Sequence, residues 1–403
     1  MEIQQIHSQT ILKSFPSSPR PIHIYTLNKV QFYSHSSSLS YPKILAYSEQ
    51  KFIDPYNEYH MSMKTSKWYN ETTVLNPCPK ITCTNDGTHY FFLYNFKNYY
   101  HFLYDTLPYL WYYIQHKLDY PILISSDLPP FVEETLQLLN LKQHCKIVQS
   151  DVCYANVLIS SSLTHNGKSN LPPNKEIFTI YNLLVEQAKL NFVAKHMKFP
   201  NQFPKKLYIS RRSHLHQQKN NMGTDYTQRR ICKSESEIVT FLKNKNYEEV
   251  FPECWSMTEK ILHFHYATHV VGLIGGGVCN LLFSPSSTQS IIIVSPTFLD
   301  VNFRFQYSMN HTQVTYFTSS FLLTSPVSLY MRVKIKETNS IGEVIEIIDE
   351  NTIKIMCAEE GSVYVLNNDN YKIISINEVT FLDHGLNSPF DINFDLFQSL
   401  WSI

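Results

Sequence analysis

The sequence predicts an α/β protein: two doubly wound α/β domains side by side, followed by a small β-barrel. Three observations carry that expectation. Short apolar segments alternate with helix-like segments from Tyr90 to Lys195, and the alternation resumes from Lys206 to Val294. A proline-flanked junction, Phe199-Pro200 to Pro204, divides the two series. From Met331 the texture changes to short alternating segments separated by Asn and Gly, the pattern of an SH3-like barrel.

Composition bounds the function. The chain has 403 residues, 34 basic against 34 acidic side chains and 43% hydrophobic residues. At about 150 residues per domain, two or three domains are expected; we place them at 1–200, 201–328 and 329–403. Neutral charge argues against a general nucleic-acid binder, which needs a basic excess to neutralise phosphates. Met1 to Lys13 holds no apolar run of signal-peptide length. The longest charge-free stretch, Val270 to Leu299, is interrupted by glycines, Pro285, Pro296 and a polar cluster, so no membrane span is expected. The eight cysteines include no C-x-x-C pair, which points to free thiols in a reducing cytoplasm and to no structural zinc.

The elements follow in order. Residues 1–80 read as mixed, with Ser/Pro turns at 14–21 and 34–42. Tyr90–Tyr94 is a strand, Tyr99–Lys117 a helix, Pro121–Ser125 a buried parallel strand and Pro130–Leu139 a helix. Lys146–Val148 and Ala155–Ser160 are strands, and Lys175–Lys195 a long helix. In the second series, Lys206–Ser210 is a strand ending in Arg211-Arg212, and 213–228 a polar loop. Ser234 with Glu237 forms a capping-box pattern ahead of a helix to Lys245, and Glu249–Phe251 is a strand. Ser256 with Glu259 repeats the box before a helix to Thr268. His269–Ile274 is a strand running into three glycines, Val278–Phe283 a short helix and Ser290–Val294 a buried strand. Met331–Ile335, Gly342–Ile347, Thr352–Ile355 and Ser362–Leu366 are the barrel strands. The aromatic tail 387–403 is expected to pack back on a domain. Two such α/β units leave a cleft, the usual ligand site in this architecture.

Three local patterns carry chemistry. Glycine is scarce, 10 in 403, yet Gly272, Gly275, Gly276 and Gly277 fall together at a strand-to-helix turn. Such a turn offers N–H groups and lets a phosphate approach the backbone; a tight turn without ligand is the equal alternative. The spacing is neither a P-loop nor G-x-G-x-x-G, so ATP hydrolysis is not expected. Arg211, at the end of its strand, reaches the same rim in a parallel sheet, and a guanidinium fork suits a diphosphate; an exposed strand-end arginine is the equal alternative for the residue by itself. Asn98, His101 and Asp105, at i, i+3 and i+7, share a helical face: His101 or Asp105 could serve as general base, with Asn98 orienting or binding; a solvated face with a satisfied histidine is the alternative, and for the pair by itself the commoner one. His265 and His269 are spaced i, i+4 but lack H-E-x-x-H, so zinc is not expected there.

These patterns, in this order, resemble glycosyltransferase family 61. Asn98, His101, Asp105 and Pro108 match its N-x-x-H-x-x-x-D-x-x-P motif. Ser210-Arg211, Arg229-Arg230-Ile231 with Ser234-Glu235, Pro252-Glu253, the Ser256–Glu259 helix start and the turn from Gly272 to Phe283 match its C-terminal motifs, over about residues 85–320. The resemblance implies a GT-B fold of two Rossmann-like domains and an inverting, metal-independent transfer from a nucleotide sugar, such as a UDP-sugar, to an acceptor hydroxyl. It places the donor on Arg211, Glu253, Gly275, Gly276, Gly277, Val278 and Asn280. Ile274, Ser234 and Lys260 depart from the family's histidine, asparagine and glutamine. Ile274 favours the alternative of a catalytically decayed nucleotide-sugar- or glycan-binding protein.

Overall fold

Apolar β-branched runs in the second half of the chain build the sheet that positions the candidate site, and a longer mixed sheet occupies the first half. In the computed structural model the described residues are 4–5, 11–35, 43–48, 51–54, 81–92, 98–126, 128–149, 151–164, 172–196, 203–216, 230–298, 309–322, 329, 331–358, 366–384 and 388–401. Arg229, Cys78, most of the 213–228 loop, Phe199-Pro200 and Ser362–Val365 lie outside them. The chain divides into two compact units, Met1–Asn191 and Phe192–Ile403.

The first unit holds strands β1 (Gln4–Gln5), β2 (Ile11–Phe15), β3 (Ile22–His35), β4 (Lys43–Ser48), β5 (Lys51–Asp54), β6 (Cys83–Phe91), β7 (Ile122–Ile124), β8 (Cys145–Ile147) and β9 (Val152–Ser160) in one sheet. The α/β half is as expected: β9, β6, β7 and β8 lie side by side and parallel. Helix α1 (Pro130–Leu138) joins β7 to β8, and the long α2 (Ile177–His196) follows β9. Residues 1–80 differ from their mixed reading. The described ones, β1 to β5, extend the same sheet through β3, which runs antiparallel to β9. Ile24, Val30 and Phe32 of β3 are buried, so its 14 residues are held by core contact as well as by pairing.

The second unit is led by β10 (Lys206–Ile209), β11 (Glu248–Val250), β12 (His269–Leu273), β13 (Gln289–Ile293) and β14 (Gln313–Phe317), all parallel, in the order β11-β10-β12-β13-β14. Helix α3 (Glu235–Lys243) connects β10 to β11, and α4 (Met257–Tyr266) connects β11 to β12. The Ser256–Glu259 capping box forms with both reciprocal bonds. The Ser234–Glu237 box does not form: the Glu237 N–H bonds to the Ser234 carbonyl, and the Ser234 hydroxyl donates to Asp391.

One face of the parallel sheet is closed by the end of the chain. Tyr208, Val271, Leu273, Ile293 and Phe317 from the sheet share a core with Ile238, Val239 and Leu242 of α3 and with Phe390, Ile392 and Phe397 from the tail. The tail forms a strand, Phe390–Ile392, paired with β15 (Ser320–Leu322), and then a short helix, Phe394–Ser399. Between these two pairing strands is threaded an antiparallel sheet of β16 (Met331–Ile335), β17 (Ile341–Ile347), β18 (Thr352–Ala358), β19 (Leu366–Ser375) and β20 (Val379–His384). Bulges in β16, β17 and β18 bend it around Val333, Ile335, Val344, Ile353 and Ile355. Its end strands, β19 and β20, are not paired with each other among the described residues, so the expected closed barrel is present as a curved five-stranded sheet.

Because Phe397 is fully buried between sheet and helix, Phe397→Ala should cost about 3–5 kcal/mol of stability. Urea denaturation checks this; a loss below about 1 kcal/mol, the range of surface substitutions, would mean that the tail is not part of this core.

Candidate active site

The strand order β11-β10-β12 creates a topological switch point. The chain leaves β10 toward one neighbour and reaches β12 on the other side, and open α/β sheets bind ligands beyond the carboxyl ends of the strands at such a point, here β10 and β12. Pairing of Ile209 with Gly272 brings the two strand ends level. Ser210-Arg211 emerges from one and Ile274-Gly275 from the other, as parallel strands require.

Arg211 is buried at 8% exposure. What fixes it is Glu235, the first residue of α3, itself 3% exposed. One carboxylate oxygen of Glu235 accepts from the Arg211 backbone N–H at 2.8 Å, the Ser210 hydroxyl at 3.1 Å and the Tyr208 hydroxyl at 3.2 Å. Burial pushes the Glu235 carboxyl above its usual range, against the pull of these donors and of the Arg211 charge. In the sequence Glu235 stands only as a motif neighbour of Ser234. Its role depends on contacts with residues 24 to 27 positions away, which no local pattern signals. The neighbouring Arg212 turns to β11 and pairs with Glu249 at 2.7 Å.

The glycine turn is explained by space. A Cβ on Gly275 would run into the Arg211 guanidinium. A Cβ on Gly272 would lie 2.6 Å from Val278 Cγ1, and one on Gly277 would lie 2.8 Å from Ile209 Cγ2. Only Gly276 faces open space, with nothing within 4 Å of the point a Cβ would occupy. Three of the four glycines therefore serve close packing, and one leaves room for a ligand. Asn280 is fully buried and donates from its amide to the Gly277 carbonyl at 2.8 Å. Its side chain, like that of buried Val278, braces the turn from within. Ile274 is likewise buried, and its N–H pairs with the Ile293 carbonyl.

Glu253 stands on the turn after β11. Its Oε1 is buried and has no hydrogen-bond partner among the described residues. Burial raises this carboxyl, opposed by a Ser213 hydrogen bond and by the charges of Arg211 and Lys260. Lys260 is 1% exposed and donates to the Trp255 carbonyl at 2.7 Å. The second unit thus brings Arg211, Glu253, Lys260 and the glycine turn into one electrostatic neighbourhood.

In the first unit, Asn98 acts as an N-cap. Its Oδ1 accepts from the His101 backbone N–H at 3.3 Å, which commits that oxygen to the helix start. The expected single helix is irregular: an α-turn at Tyr99–His101, a π-turn at Phe102–Thr106, a 3₁₀ turn at Leu107–Leu110 and an α-turn at Trp111–Gln115. The Leu107 N–H bonds to the Phe102 carbonyl, five residues back. The next bond of that pattern would join Pro108 to Leu103, but proline has no N–H. The Tyr181 hydroxyl of α2 donates to the Leu103 carbonyl instead, at 2.8 Å. On this turn His101 Nδ1 meets Asp105 Oδ2 at 2.5 Å, with Asp105 buried and His101 partly exposed. A bonded Nδ1–H leaves Nε2 as the acceptor nitrogen.

His265 and His269 do not converge: His265 Nδ1 faces the Phe283 carbonyl, and His269 Nδ1 the Thr268 hydroxyl. No group of three metal-ligating side chains occurs among the described residues. No helix among them is long and apolar enough to cross a membrane.

Gly272→Ala should cost about 1–3 kcal/mol, since Ile209 and Val278 cannot retreat, whereas Gly276→Ala should stay within about 0.5 kcal/mol of wild type. Equal costs in urea would contradict the division of roles. For Glu253, whose folded carboxyl is raised above the reference 4.5, the favourable contribution exists below that value and is lost as pH rises through the folded value. The stability of Glu253→Gln relative to wild type should therefore increase from pH 4.5 toward neutrality; a constant or falling difference would overturn the assignment.

No curated protein matches the chain. The family model described as Glycosyltransferase 61 matches residues 99–291, a span that contains His101, Asp105, Arg211, Glu235, Glu253 and the whole glycine turn. Over that span the chain resembles glycosyltransferase family 61, and glycosyltransferase activity is the general function this family suggests.

Proposed function

We propose that the chain is an inverting glycosyltransferase that moves a hexosyl or pentosyl group from a nucleoside diphosphate sugar, with UDP-sugars the first donors to test, to the hydroxyl of a glycan, lipid or protein acceptor. The observation that carries this reading is a buried guanidinium laid over a glycine turn at a switch-point crevice. A GT-B pairing of Rossmann-like domains is supported by the five parallel strands of the second unit and by the parallel quartet β9, β6, β7 and β8 of the first. The curvature of the 331–384 sheet supports an SH3-like module.

The chemistry divides between the two clusters. His101, its Nδ1 held by Asp105, takes the acceptor proton at Nε2. The acceptor oxygen bonds to the anomeric carbon as the bond to the diphosphate oxygen breaks, from the opposite side, and the configuration inverts. Charge developing on the departing diphosphate is met by Arg211 and by the N–H groups at 275–278. These groups supply positive charge without a bound metal. Glu253 accepts from donor hydroxyls, and Asn98, Asn280 and Val278 hold the two turns in shape.

His101→Ala and Asp105→Asn should each lower turnover about 10²–10⁴-fold while affinity for UDP is retained. Normal turnover in both variants would contradict the base assignment. Arg211→Ala should weaken UDP binding about tenfold or more, as expected for a charge-assisted fork; an unchanged calorimetric affinity would remove it from the donor site. The buried Ile274 favours one other reading, a decayed binding protein. Tight UDP-sugar binding with no turnover in any acceptor screen would select that reading.

A further inference from the structure

The tail that closes the parallel sheet also touches the residue next to the arginine clamp. Asp391 lies on the tail strand that pairs with Ser320–Leu322. Its Oδ1 accepts from the Ser234 backbone N–H at 3.1 Å and from the Ser234 hydroxyl at 2.5 Å. Ser234 is the N-cap position of α3, and its hydroxyl makes no cap bond within the helix. An external carboxylate thus binds the N-cap residue itself, at the helix end where the dipole favours negative charge. The next residue is Glu235, which holds Tyr208, Ser210 and Arg211. The tail is fastened beside this contact through Phe390: the Lys233 N–H donates to the Phe390 carbonyl at 3.0 Å, and the Phe390 N–H to the Ile231 carbonyl at 2.9 Å.

We propose that Asp391 is a positioning residue for the donor site, setting the start of α3 so that Glu235 holds Arg211 in register for a diphosphate. The inference deepens the glycosyltransferase reading and rests on it for the identity of the ligand. It makes the segment 388–401, beyond the inserted 331–384 sheet, a working part of the donor domain. A change in the tail is transmitted to Arg211 through three consecutive links: Asp391 to Ser234, the Ser234–Glu235 peptide, and Glu235 to the Arg211 N–H. Asp391→Asn keeps an acceptor oxygen for Ser234 and should rescue most of the effect; Asp391→Ala should not.

The test compares Asp391→Ala, Asp391→Asn and Phe397→Leu in the full chain. Phe397→Leu loosens the tail core without touching the polar contacts and serves as the stability control. Two quantities are read: hydrogen exchange of the Arg211 backbone amide in the free protein, and calorimetric affinity for UDP. Asp391→Ala should speed exchange at Arg211 and weaken UDP binding by about tenfold, the scale of one lost charge-assisted hydrogen bond. Asp391→Asn should recover most of both, and Phe397→Leu should leave UDP affinity near wild type. Wild-type UDP affinity in Asp391→Ala would overturn the proposal, as would an equal loss in Phe397→Leu. If the wild-type chain binds no nucleoside diphosphate, the donor reading fails. Arg211 exchange then decides the positional link by itself: unchanged protection in Asp391→Ala would sink it.

Discussion

A single buried carboxylate organises the second unit. Taking the Glu235 charge out of water costs several kcal/mol unless donors replace the lost solvation. Three donors from the end of β10 do so, and the nearby Arg211 guanidinium adds an opposite charge. Arginine and carboxylate each make the other's burial tolerable, so the position of one dictates that of the other. The glycine turn then has to fit the arginine: Gly275 has no Cβ because the guanidinium occupies that volume. Gly272 and Gly277 are small for a related reason, since Ile209, two residues upstream of Arg211, packs against the turn.

The first unit solves a different problem. Its polar pair sits among buried aromatics, where an unsatisfied group would be expensive. The π-turn presents His101 and Asp105 to each other, and Pro108 ends the pattern by withholding an N–H. The carbonyl thereby released is taken by Tyr181 from α2. π-turns inside helices recur at functional positions because they displace the hydrogen-bond ladder locally. Here the displacement coincides with the one buried carboxylate of the helix.

Much of this is legible in the sequence where the cause is local. Alternation of apolar strands with helices foretells the parallel strands on both sides of the junction, and Ser256 with Glu259 foretells a real capping box. Arg211 and the glycine turn can be placed on one rim because parallel strands share their carboxyl ends. What escapes has distant causes. The N-terminal strands β2 to β5 owe their place to a series of pairings that reaches β9 through β3. Ser234, where the pattern predicts a cap, instead donates its hydroxyl to Asp391, 157 residues away. Clustering of a scarce glycine suggests phosphate approach. Three of the four clustered glycines instead answer to protein side chains, and Gly276 alone keeps that meaning.

The central claim is that this chain transfers a sugar from a nucleoside diphosphate with inversion. It is tested most directly by following the anomeric proton by NMR while the protein is incubated with a panel of UDP-sugars and candidate acceptors. The account predicts consumption of one donor, stoichiometric release of UDP, and a first-formed product of opposite anomeric configuration. A product that retains the donor's configuration, or a donor panel left intact by a protein that binds UDP, would contradict it.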